Sequence, residues 1–152
     1  MEHGRWIVVG TDFSEGAECA LEHAIRLAGR AGARIALVHA YEDQLEDLSS
    51  GQDRAPELRA QLDDAIARVG EKGDSASIEA FLRRGAPWEK LLNVAIEVGA
   101  DLIVVGATGQ RGAIGRAGSL LGSVAYRVVS SSTRSVLISR IPLDRGSPAA
   151  AV

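Results

Sequence analysis

The chain reads as an α/β protein: a single doubly wound, five-stranded parallel sheet with helices on both faces. Two observations predict it. Short apolar, β-branched runs alternate along the chain with longer runs of helical period, the pattern of a parallel sheet covered on both sides. The chain has 152 residues, 46% hydrophobic and 24% charged, which suits one soluble domain with one packed core.

Trp6–Gly10 (WIVVG) is a short apolar run closed by turn residues and reads as a buried strand. Ala17, Ala20, Leu21, Ala24, Leu27, Ala28 and Ala31 follow at helical spacing. Asp12 with Glu15, or Ser14 alone, can cap that helix, and Gly32 can end it. Residues 34–40 (RIALVHA) form the second strand, and residues 42–56, polar and acidic with Pro56, read as a surface loop. Leu58, Leu62, Ala65, Ile66 and Val69 mark a second amphipathic helix. Residues 77–82 (SIEAFL) alternate as a third strand suited to an edge. Pro87 can open a helix whose buried face is Trp88, Leu91, Leu92, Ala95 and Ile96. Residues 101–106 (DLIVVG) are the clearest strand. After a glycine-rich stretch, Leu121, Val124, Ala125, Val128 and Val129 make a last helical face, and Ser135–Ser139 a fifth strand. The domain is expected over residues 1–141, with 142–152 a loose tail.

Right-handed crossovers put helices on both faces only if the chain starts mid-sheet, runs one way and returns to the other side of the first strand, giving the order 3-2-1-4-5. A crevice opens at the carboxyl ends of strands 1 and 4, where the order reverses, and ligands of such sheets bind there. Gly10, Thr11 and Asp12 follow strand 1 at that mouth. The stretch VVGATGQRGAIGRAGSLLGS follows strand 4, with Gly106, Gly109, Gly112, Gly115 and Gly118 at every third position and then Gly122. Such a loop lets main-chain N–H groups face an anion, and the helix beginning just beyond adds donors and partial positive charge. A plain flexible connection is the alternative. The chain has only two lysines, Lys72 and Lys90, and no Gly-Lys pair, which excludes a Walker A loop; G-x-G-x-x-G is absent too.

These residues resemble the universal stress protein family. Residues 7–21 (IVVGTDFSEGAECAL) are similar to its opening strand and helix, and 84–92 (RGAPWEKLL) to its third strand-to-helix junction. Residues 101–106 are similar to its fourth strand, and 121–124 (LGSV) through 135–138 (SVLI) to its last helix and strand. The ATP-binding branch of that family carries G-x-x-G, nine residues, then G-[ST]. Anchored on strand 4, the first pair is Gly106 and Gly109, with a loop three residues longer than that pattern. Anchored on the helix, Gly109 and Gly112 followed by Gly122-Ser123 match its spacing. The strand anchor is preferred, because the sheet fixes where the loop begins. The resemblance implies a nucleotide lined by Gly10, Thr11 and Asp12 on the adenosine side. Ala40 would face adenine through its backbone. Gly106, Ala107, Thr108, Gly109, Gly112, Gly122, Ser123 and Val124 would lie along ribose and phosphates. It implies ATP, with Mg²⁺ carried on the phosphate oxygens, and a homodimer through the last strand, Thr133 to Ile141.

Several side chains have two readings. Asp12 can hold a nucleotide or cap a helix, and Ser123 can donate to a phosphate or face solvent. His39 fits a hydrogen-bonded rim histidine better than a base, and His23 fits a solvated helix position. Cys19 is a small helix residue, since a lone cysteine builds no intrachain disulfide. Arg111 and Arg116 suit ligand or solvent equally. Glu42, Asp43, Glu46 and Asp47 fit an exposed loop, with metal binding the weaker alternative. No Ser–His–Asp spacing, carboxylate pair or metal triad is visible, so catalysis beyond slow ATP hydrolysis is not expected. A net charge of −3 argues against a nucleic-acid partner. No apolar run reaches the roughly 18 residues of a membrane span, and residues 1–6 lack a long apolar stretch, so the expectation is a cytoplasmic protein. Function thus falls between a nucleotide-loaded dimeric stress switch or adaptor, a nucleotide-free interaction module of the same fold, and a slow hydrolase.

Overall fold

The computed structural model describes residues 4–73, 76–108 and 121–142. Five strands, β1 (Trp6–Gly10), β2 (Arg34–Tyr41), β3 (Ile78–Arg84), β4 (Leu102–Gly106) and β5 (Ser135–Ser139), form one parallel sheet in the order β3-β2-β1-β4-β5. Val8 lies beside Ala36 on one side and Ile103 on the other. The sheet order is the one the crossover rules require.

Strand alternation divides the core in two. Ile7, Val9, Ile35, Leu37 and Val104 point to one face, where α1 (Glu15–Ala31) and α3 (Ala55–Glu71) lay down Ala20, Leu21, Ala24, Ile25, Leu62 and Val69. Val8, Ala36, Val38, Ile103 and Val105 point to the other, against Leu91, Val94 and Ala95 of α4 (Pro87–Val98) and Ala125 and Val128 of α5 (Ser123–Ser131). Both faces are buried, which is why the central strands are continuous apolar runs.

The stretch 42–56, read as a loop, contains a further helix, α2 (Leu45–Ser50), and the start of α3, with Pro56 in its first turn. No α2 residue is buried. Its two apolar residues, Leu45 and Leu48, stand one turn apart but are exposed, and a single pair is too short a run to declare a helical period. The Asp47 carboxylate accepts the Gln44 N–H at 3.3 Å and pairs with Arg54 at 3.6 Å, holding its first turn. Leu121, assigned above to the last helix, precedes α5, and Val129 is exposed. Among the described residues no helix is long and apolar enough to cross a membrane.

Candidate functional site

At the carboxyl end of the sheet, between β1 and β4, lies a cleft of about 540 Å³. Ten of the twelve residues singled out above line it: Gly10, Thr11, Asp12, Ala40, Gly106, Ala107, Thr108, Gly122, Ser123 and Val124. Gly109 and Gly112 lie outside the described residues, as do Arg111 and Arg116. Sequence reasoning missed Ser14, Ala17, Val38, Glu42, Pro87, Leu91, Val105 and Ala125, which complete the lining. Two signals point to some of them. Val38 and Ala40 share one side of β2 by the two-residue period, and Pro87 and Leu91 share one side of α4.

The turn after β1 is held from several directions. The Thr11 N–H donates to the Val38 carbonyl at 2.9 Å, and Thr11 Oγ1 accepts the Phe13 N–H at 3.0 Å. Asp12 Oδ1 accepts the Ser14 N–H at 3.0 Å and also the Ser14 hydroxyl. Ser14 Oγ in turn accepts the Ala17 N–H at 3.3 Å. Ser14 therefore caps α1, and Asp12 braces the cap. Phe13 has a φ of 65°, which glycine adopts freely and phenylalanine does not. Its ring rests on the His39 ring, centroids 4.5 Å apart, a contact that helps hold this backbone conformation.

His39 is a hydrogen-bonded rim residue. Its Nδ1 lies 2.8 Å from the Thr11 carbonyl oxygen, which can only accept, so Nδ1 carries the proton and donates. Burial pushes its pKa below the ordinary 6.5. The Thr11 bond and the Asp12 charge oppose that shift, and the Arg54 charge adds to it. A base whose folded pKa is depressed contributes stability that is fully present above its unfolded pKa and is lost as pH falls below it. Urea unfolding of the native protein should show stability declining as pH drops below about 6.5, with a shallower decline in His39→Gln.

His23, read as solvated, is half-buried, and its Nδ1 bonds the Ser139 hydroxyl. This ties α1 to the end of β5. The Ser139 carbonyl accepts the Ala107 N–H at 2.8 Å, and the Ala107 carbonyl accepts the Gly122 N–H at 2.7 Å. The floor of the cleft is thus laced to the last strand and to the start of α5. Asp43 and Asp47 pair with Arg84 and Arg54, both at 3.6 Å. Among the described residues no three His, Cys, Asp or Glu side chains come together as a metal site. Cys19 is buried within α1 and is not in a disulfide.

Two glycines bring α1 against β4. A Cβ on Gly106 would lie 3.0 Å from the Gly16 carbonyl oxygen, and a Cβ on Gly16 only 2.8 Å from the Thr108 carbonyl oxygen. The approach at Gly16 is closer than real Cβ atoms come to backbone, so a side chain there forces α1 or the segment after β4 to shift, whereas at Gly106 the neighbouring backbone would have to give by a few tenths of an ångström.

The cleft has two unlike halves. Val38, Ala40, Pro87 and Leu91 make an apolar slot. Opposite it lie main chain from Gly106 to Thr108 and the N-terminus of α5, whose cap residue, Gly122, has no side chain to satisfy the first-turn N–H groups. The α1 N-terminus is capped by Ser14, whereas among the described residues no side chain caps the first turn of α5. Such a cleft accepts a ligand with a flat apolar part and an anionic part.

Comparison with known proteins gives the family. The model of the universal stress protein family matches residues 5–140. The chain is 37% identical over 144 residues to a universal stress protein of Thermus aquaticus, covering 88% of this chain and 97% of that protein. It is 35% identical over 141 residues to the universal stress protein Rv1636 of Mycobacterium tuberculosis, covering 87% and 93%. Among solved structures, a universal stress protein in complex with cAMP superposes with a TM-score of 0.69 at 34% identity, over 90% of this chain and 97% of that one. The chain described here belongs to the universal stress protein family.

Proposed function

We propose that this protein binds an adenine nucleotide, ATP with Mg²⁺, in the switch-point cleft and works as a dimeric stress-response switch or adaptor. The observation that carries the reading is the two-sided cleft: an apolar slot at the end of β2 for the base, facing open main-chain donors at the start of α5 for phosphate. Thr11, Asp12 and Ala40 lie on the adenosine side, and Gly106, Ala107, Thr108, Gly122, Ser123 and Val124 along ribose and phosphates. Mg²⁺ rides on phosphate oxygens rather than in a protein cage. Hydrolysis is slow or absent, since none of the described residues at the cleft positions a nucleophile.

A second reading has one specific support. The 34%-identical relative was solved with cAMP, and a single cyclic phosphate needs only one group of donors, which the α5 N-terminus supplies.

Dimerisation follows from the sheet edge. β5 has a neighbour on one side only, and Leu137 and Ile141 are exposed there. An apolar edge strand with unpaired N–H and C=O groups invites a second copy. The contact runs from Thr133 to Ile141.

The test is calorimetric titration with Mg·ATP, ATP alone, AMP and cAMP, with sedimentation of the same samples. Saturable heat with Mg·ATP as the tightest ligand, on a dimer at micromolar protein, is the expected result. Tightest binding of cAMP selects the second reading. No heat with any of the four ends both, and a monomer at every concentration removes the dimer.

A further inference from the structure

The acids after β2 are not equivalent. Asp43 pairs with Arg84, Asp47 with Arg54, and Asp53 reaches Arg84 at 4.0 Å. No hydrogen bond or ion pair links the Glu42 carboxylate to another described residue. It is also the one of these acids that lines the cleft. Val38 and Ala40 share one side of β2, and Glu42, the first residue past the strand's end, continues the same cleft lining as a row from the buried floor to the exposed rim, while Tyr41 is buried beneath Arg84. The row runs along the apolar slot, so a base seated against Val38 and Ala40 presents an edge toward Glu42.

We propose that Glu42 is the specificity-determining residue of this cleft, accepting a hydrogen bond from the exocyclic amino group of a 6-aminopurine. The proposal rests on the nucleotide reading above and adds what selects the base. An ionised carboxylate only accepts hydrogen bonds. Adenine offers an amino donor at C6. Hypoxanthine and guanine carry a carbonyl oxygen there, which would set acceptor against acceptor. A site built around one polar contact rejects an analogue that cannot make it, because the group in the site is left unpaired. The charge also disfavours phosphate at this end of the cleft, which orients the nucleotide with its anionic part toward α5.

The experiment compares ATP, ITP and 2′-deoxy-ATP binding to the native protein, to Glu42→Gln and to Glu42→Ala. ATP and ITP differ only at the base edge. The expected preference of the native protein for ATP over ITP is about tenfold or more. A glutamine amide can donate as well as accept, so in Glu42→Gln the ratio should fall to within about threefold, chiefly through tighter ITP binding. Glu42→Ala should lose the preference by weaker ATP binding. Glu42 is exposed, so neither change should disturb folding, and circular dichroism checks this. An ATP-to-ITP ratio unchanged in Glu42→Gln, with ATP binding intact, overturns the assignment while the nucleotide site stands. A change confined to the ratio of ATP to 2′-deoxy-ATP also overturns it, placing the carboxylate on the ribose. Failure of the native protein to bind any adenine nucleotide removes the site itself, and the assignment with it.

Discussion

Gly16→Ala is expected to lower stability by about 1–3 kcal/mol and to weaken adenine nucleotide binding by about tenfold or more, an unusual cost for one added methyl group. The new Cβ would sit 2.8 Å from the Thr108 carbonyl oxygen, and a backbone atom cannot rotate away as a side chain can. Either α1 shifts along β4 or the segment after β4 gives way. Both movements displace cleft residues: Asp12 and Ser14 are tied to the α1 N-terminus, and Thr108 belongs to the opposite wall. At Gly29, also in α1, an added Cβ meets nothing within 4 Å, so Gly29→Ala serves as the control. Urea unfolding and nucleotide titration on the three proteins check the ordering. Native-like stability and affinity in Gly16→Ala would show that the close approach of α1 to β4 does not shape the cleft.

Leu62→Ala should cost more stability, about 2–5 kcal/mol, and leave nucleotide affinity of the folded protein unchanged. Leu62 is fully buried where α3 meets the sheet, packed among Leu21, Ile25, Ile35 and Leu37. Truncation leaves a hole that the surrounding helices fill only in part. The cleft draws its apolar wall from Val38, Leu91, Val105 and Ala125, which belong to the core on the other face of the sheet. The two variants therefore separate opposite outcomes: a large loss of stability with the site intact, and a smaller one with the site damaged. Denaturant midpoints and titration below the unfolding transition measure both. Parallel loss of affinity in Leu62→Ala would mean that the two cores do not act independently.

Much of the architecture was legible because the signals are local. Runs such as Ile7–Val9 and Leu102–Val105 are short, apolar and β-branched, and the segment from Ala17 to Ala28 keeps helical spacing, so each declares its own period. Gly32 ends α1 with φ at 63°, the left-handed turn for which glycine is suited. Where local signal was missing, the reading erred. α2 is a turn-and-a-half of helix with one apolar pair, Leu45 and Leu48, both exposed, too short a run to declare a period. His23 looked solvated because its partner, Ser139, lies 116 residues away.

The sequence by itself determined the order of the elements, the apolar runs that become central strands, and, through the handedness of crossovers, the position of a crevice beside Gly10–Asp12 and the segment after β4. These follow from periodicity and backbone chirality, which act over a few residues and leave few arrangements open. Only the tertiary structure decided which side chains share that crevice. It set Val38, Ala40, Pro87 and Leu91 as one wall, left Glu42 at the rim with no partner among the described residues while its neighbours met arginines, and brought Gly16 against Thr108. Those relations are distances between segments far apart in the chain. They depend on how two packed layers seat against a twisted sheet, which no local spacing of residues encodes.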